Sequence, residues 1–288
     1  MELFQYPHMQ RALIGALIIG LAAPALGIYL VQRRLALVGD GVGHVALTGV
    51  GAGLLLNRSP VLVAVVVATL GAITIELVRA RGRTSGDLAL ALLFYGGIAG
   101  GVTLVGLSDS TSATLNAYLF GSLSTITLAD LTTISVLGAA IGVTMLVLRP
   151  ALFAVCHDEE YARVSGLPVR TLNLLLAVAT AVTVTIAMRA VGVLLISALM
   201  VVPVATAQQV TRGFRSTMAA AMALGLFAAG SGVWVAANAD TAPGASVVLM
   251  AIASFGVVAV LGAAWRMLRR RRTPAAAPTP EPHEVVLH

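Results

Sequence analysis

Nine apolar stretches, each about the length of a bilayer crossing, alternate along this chain with short breaks that hold its charges. A spanning helix needs about 20 apolar residues for a hydrocarbon core of about 30 Å. On that measure the pattern predicts spans at 12–31, 36–56, 60–78, 88–107, 128–148, 170–188, 191–210, 216–237 and 244–265. Two breaks are tight, Asn57-Arg58 and Arg189-Ala190. If either bounds a re-entrant piece, the count falls to eight and the N-terminus changes sides. The predicted fold is therefore all-α: a polytopic bundle of eight or nine transmembrane helices over residues 1–265, followed by a tail at 266–288. One longer polar segment, Arg149 to Arg170, reads as a loop between the fifth and sixth spans. No two segments align as an internal repeat.

Composition agrees with a membrane protein. Of 288 residues, 58 % are hydrophobic and only 10 % charged, whereas a soluble domain carries about 25 % charged residues. The first apolar stretch follows Met9-Gln10-Arg11, is a full span long and lacks an A-x-A cleavage site, so it reads as a retained helix. The eighteen basic residues are all arginine, which suits a high-GC bacterial genome. Their placement sets orientation, because basic residues stay on the cytoplasmic side. Fifteen lie at Arg33-Arg34, Arg79 to Arg83, Arg149 to Arg170, Arg212 to Arg215 and Arg266 to Arg272; only Arg11, Arg58 and Arg189 fall on the other side. The expected topology is an inner-membrane protein with nine spans, its N-terminus outside and its C-terminus in the cytoplasm. The positive charge marks this orientation and contact with anionic lipid rather than nucleic-acid binding. The tail, with Arg269 to Arg272 and then a Pro/Ala-rich run, is expected to be disordered.

Against that background Asp40 and His44 stand out. They lie four residues apart in Leu37-Val38-Gly39-Asp40-Gly41-Val42-Gly43-His44, inside the second span. An acid at a helix centre costs roughly 2.5–3.5 kcal/mol on insertion scales, so intramembrane ionisable residues are functional by default. Residues i and i+4 share a helix face. For a span that starts near Leu35, a rise of 1.5 Å per residue puts Asp40 roughly 8 Å and His44 roughly 14 Å into the membrane. Gly39 and Gly43 make a small-xxx-small face for close helix approach, and the glycines would also let the helix unwind locally. A carboxylate and a neutral imidazole suit Zn, Mn or Fe(II). Two ligands are too few for a tight cage, which favours passage over storage. The pair could instead move protons, or bond to each other or to a neighbouring helix as structural glue.

Other polar residues read more simply. Glu76 and Arg79 suggest a local ion pair, and Asp87 and Asp130 suit helix N-termini. His8 and His157 read as surface residues, with weak metal potential at His283 and His288 in the tail. Cys156 is the only cysteine, so no intrachain disulfide can form. H-E-x-x-H, G-x-S-x-G and the Walker A lysine are all missing, as are paired intramembrane aspartates. The chain is not expected to be an enzyme, to hydrolyse ATP itself or to hold a permanent cofactor.

Several segments together resemble the permease subunits of bacterial zinc/manganese/iron ABC importers, the ZnuB-like type. They are Tyr6 to Leu13, Arg33 to His44, Tyr118 to Leu123, Asp158 to Gly166 and Val191 to Pro203. The Gly-Asp-x-x-x-His element is the most specific. The resemblance implies a homodimer around one ion path, a cytoplasmic ABC ATPase on each copy and an extracytoplasmic metal-binding protein. It implies that Asp40 and His44 line the metal path. It also implies that Asp158, Glu159, Glu160 and Gly166 meet the ATPase. This chain departs from the family at Gly43, where Ser is frequent, and at Leu47-Thr48-Gly49, where Leu-Pro-Gly is frequent. Two other readings are an iron-siderophore or corrinoid permease, with a wider and less polar path, and a proton-coupled carrier titrating Asp40.

Overall fold

The computed structural model describes residues 6–80, 86–108, 112–122 and 126–272. Long apolar helices dominate it: α1 Pro7–Gln32, α2 Val38–Leu55, α3 Pro60–Ala80, α4 Gly86–Leu107, α6 Leu128–Val147, α9 Val169–Ala187, α10 Val193–Gln208, α11 Phe214–Ala239 and α12 Pro243–Arg272. Three short helices complete it, α5 Ser112–Phe120, α7 Arg149–His157 and α8 Glu159–Val164. Among the described residues there is no strand. The nine predicted spans thus appear as nine helices. Eight are long and apolar enough to cross a membrane, and α10, with 16 residues, is shorter.

Contacts at the two ends fix the direction of each helix. At one end, Arg33 after α1 reaches Glu159 of α8 and Asn173 near the start of α9. The Glu76–Arg79 pair at the end of α3 lines the same cavity. Phe214 at the start of α11 packs on Tyr29 of α1 and Phe153 of α7, with ring centroids 5.4 and 4.9 Å apart. This is the arginine-rich end. At the far end, Arg189 after α9 bonds Asp130 in the first turn of α6 and Tyr118 of α5. Helix α10 therefore starts at the far end and finishes where α11 begins. Its 16 residues cover about 24 Å at 1.5 Å per residue, short of a hydrocarbon core of about 30 Å. Its start is set by Gly192, whose φ of 91° is open to glycine at no steric cost.

The centre of the bundle is α1, α2, α9 and α10. The apolar window of α1 is 72 % buried, while that of α12 is 17 % buried, so α12 is left to face lipid. Threonines inside α9 are tolerated because Thr180, Thr183 and Thr185 each donate to the carbonyl four residues back. Helix α6 starts with a reciprocal cap: Thr127 Oγ1 accepts from the Asp130 amide, and Asp130 Oδ2 accepts from the Thr127 amide.

Four expectations change. The Arg149–Arg170 segment is not a loop but two short helices, α7 and α8. Helix α5 was not foreseen; nine residues is too short for a span and its pattern carries no clear period. Helix α2 starts at Val38 rather than near Leu35 and is continuous, so Asp40 sits in its first turn and the glycines cause no unwinding. Helix α12 extends to Arg272, and the tail beyond it, with His283 and His288, lies outside the described residues.

Candidate functional site

Four helices surround α2, and its glycines show where each lies. Gly39 abuts Ser197 of α10, and Gly43 abuts Val184 of α9 and Val193 of α10. Gly41 abuts Leu90 of α4, and Gly49 abuts Ala64 of α3. One residue advances the helix by about 100°. Asp40 and His44, one step on from Gly39 and Gly43, therefore face the seam between α10 and α4. Asp40 in the first turn is close to unpaired backbone amides, whose partial charge favours a carboxylate.

The imidazole of His44 is only 7 % exposed. It meets the Phe94 ring edge-on, with centroids 4.4 Å apart. Helix α4 comes this close because residue 97 is glycine: a Cβ there would stand 2.5 Å from the His44 carbonyl carbon. Thr48 Oγ1 fastens the contact by donating to the Gly97 carbonyl at 2.8 Å. His44 Nδ1 is buried and has no hydrogen-bond partner, and neither has Ser197 Oγ on α10. Such orphaned buried groups are uncommon. No hydrogen bond or ion pair joins Asp40 to His44, so mutual bonding does not account for them. Among the described residues no cluster of three or more His, Cys, Asp or Glu forms a metal site. The arrangement puts a carboxylate and an unpartnered imidazole nitrogen on one helix face.

The α7–α8 segment is built by its acidic run. Asp158 caps α8, its carboxylate accepting from the Tyr161 amide at 2.9 Å. Glu159 turns inward and accepts from Arg33 at 3.1 Å and from Arg163 at 3.2 Å. Arg33 also donates to Asn173 at 2.6 Å. Glu160 is exposed and, of the three, is the one without a hydrogen bond or ion pair among the described residues. Gly166 ends α8 at φ 80°, its amide bonded to the Arg163 carbonyl and that of Leu167 to the Ala162 carbonyl. This is a Schellman stop, which favours glycine at that position. Cys156 in α7 is half-buried, and burial pushes its thiol up to about 11, against an opposing pull from Arg33.

The simpler readings hold in the structure. Glu76 and Arg79 pair at 2.9 Å. Asp130 caps α6, and Asp87 falls in the first turn of α4. His8 and His157 are exposed. Sequence reasoning did not foresee Arg33 as a bridge, because an arginine at a span end looks like any orientation marker. It also passed over Ser197, which resembles the apolar residues around it in a helix pattern, and the Asp130–Arg189 pair, 59 positions apart in the chain.

An alternating bundle of apolar helices, an acid–imidazole face inside it and a capped helical pair at the arginine-rich end define a membrane permease. Residues 5–262 match the ABC 3 transport family, and the chain belongs to that family. It is a multi-pass permease of the metal-ion ABC transporter class. It is 28 % identical over 286 residues to the manganese transport system membrane protein MntC of Halalkalibacterium halodurans, covering 96 % of this chain and 97 % of that one. It is 30 % identical over 238 residues to the high-affinity zinc uptake system membrane protein ZnuB of Haemophilus influenzae, covering 83 % and 91 %. Among solved structures, PsaBC from Streptococcus pneumoniae in complex with Fab superposes with a TM-score of 0.81 at 29 % identity, covering 89 % of this chain and 92 % of that one.

Proposed function

We propose that this chain is the membrane-spanning subunit of an ATP-driven importer for a divalent transition metal ion, with Asp40 and His44 lining the ion path. The observation that carries the path assignment is the buried, unpartnered Nδ1 of His44 on the same face as Asp40. A ligand that coordinates only in passing leaves such a group unpaired at other times. Zn, Mn and Fe(II) all suit the pair, and relatives are named for manganese and for zinc. Family membership supports ATP-driven import over a proton-coupled carrier.

The complex on this reading is a homodimer in the bacterial inner membrane, so that four ligands converge from two copies. The arginine-rich end, with the C-terminus, lies in the cytoplasm. There α7 and α8 meet an ABC ATPase through Asp158, Glu159, Glu160 and the Gly166 stop. A metal-binding protein delivers the ion on the other side. The Glu159–Arg33 bridge ties that docking segment to the turn that launches α2, which gives nucleotide-driven movement a short mechanical route to Asp40.

The test is uptake of Zn, Mn and Fe(II), each competed by the others, in vesicles holding the whole complex. Asp40→Asn and His44→Ala should each abolish uptake while the subunits still assemble. Normal uptake by both variants would remove the pair from the path.

A further inference from the structure

Two cavities adjoin at the arginine-rich end. The larger, about 710 Å3, is polar; four arginines, Arg33, Arg79, Arg163 and Arg170, outnumber its two acids, Glu76 and Glu159. The smaller, about 170 Å3, shares Arg33, Glu76, Arg79 and Asn173 with it, then runs on among apolar side chains that include Leu35, Ile75, Leu90 and Leu176. Both acids are already engaged, Glu76 by Arg79 and Glu159 by Arg33 and Arg163. Arg170 is exposed and has no ion partner among the described residues. The paired cavity is thus amphipathic, with a basin of excess positive charge opening into an apolar slot. It lies where the apolar parts of α3 and α9 meet the arginine-rich end of the bundle.

We propose that this paired cavity binds one anionic phospholipid, its phosphate among Arg79, Arg163 and Arg170 and an acyl chain in the slot. A free phosphate would use the basin but has no use for the slot. A zwitterionic lipid would fill the slot but gains less from the surplus arginines. Basic pockets between membrane helices take anionic headgroups in this way. The occupant would touch α8, the end of α3 and the turn from α1 to α2 together, bracing the elements that lead to Asp40.

The test uses the full-length chain in detergent, titrated with phosphatidylglycerol or phosphatidylcholine and read by native mass spectrometry. One phosphatidylglycerol should be retained in preference to phosphatidylcholine. Each basic residue near an anionic lipid contributes about 1 kcal/mol, roughly a fivefold change in binding. Arg163→Gln with Arg170→Gln should therefore weaken phosphatidylglycerol retention roughly twentyfold. Arg212→Gln with Arg215→Gln, at the same end but outside the basin, should leave it unchanged. Ala177→Leu, which fills the slot without altering charge, should also weaken it.

Equal retention of the two lipids, or no effect of the basin variant, would overturn the proposal. So would displacement of the lipid by inorganic phosphate at the concentration at which phosphate binds alone, which would mark a free-anion site. If the basin variant kept its lipid preference but lost capture of the partner ATPase, the arginines would belong to a protein contact instead. The measurement involves no transport, so its failure is separate from any failure of the permease reading.

Discussion

His44 is held by Phe94, by the α4 backbone at Gly97 and by its own helix, while its Nδ1 is left unbonded. That combination makes Gly97 as important as the imidazole it supports. Any side chain there meets backbone atoms, which cannot rotate away. Gly97→Ala should cost about 1–3 kcal/mol, the usual penalty of overpacking, and should lower the thermal unfolding temperature of the purified chain together with metal uptake. Cys156 gives a second residue-scale prediction. The thiolate is the reactive form, and a thiol pushed up to about 11 stays protonated at neutral pH. Its alkylation should be slow at pH 7.5 and should climb about tenfold per pH unit through pH 10, whereas an exposed thiol levels off near its ordinary value of about 8.5. A rate that levels off near pH 8.5 would show the site to be open.

Helix α8 is where acids with the same sequence signature divide their work. Asp158 starts the helix, Glu159 ties it to Arg33, and Glu160 faces outward. Glu160→Lys should weaken ATPase capture and leave stability unchanged. Glu159→Arg should also destabilise the chain, by about 1 kcal/mol, the scale of a partly exposed ion pair. The swap Glu159→Arg with Arg33→Glu should recover that loss if the bridge acts as a pair. At the far end, Asp130 both caps α6 and holds Arg189 at 2.9 Å. Asp130→Ala removes its half of the reciprocal cap and the pair together, while the residue-130 amide still donates to Thr127 Oγ1. Thermal unfolding should register a loss above the ~1 kcal/mol of a cap alone. Asp130 could be recognised in the sequence as a helix starter, because a cap is a local pattern, whereas the acids of α8 sit in a polar segment that reads as a loop. The partner of Glu159 could not be read, since Arg33 and Glu159 are 126 positions apart.

Among the described residues, eight long apolar helices and the shorter α10 lie between an arginine-rich end and a far end. Single-cysteine labelling in a Cys156→Ser background tests which end faces the cytoplasm. Cysteine at 160 should react only from the inside, and cysteine at 58 only from the outside; the reverse would invert the topology. The sequence alone determined the helical class, the number of apolar segments and the common face of Asp40 and His44. Those follow from hydrophobic length and the 3.6-residue helical period, which are local properties. It also carried the family resemblance. Only the tertiary structure decided that α10 ends after 16 residues, shorter than the eight long apolar helices. The same holds for the pair's outlook onto the seam between α4 and α10, the missing bond between its members, and the inward turn of Glu159 to Arg33. These depend on which helices become neighbours, and close approach at Gly39, Gly41 and Gly97 sets that through contacts between residues far apart in the chain.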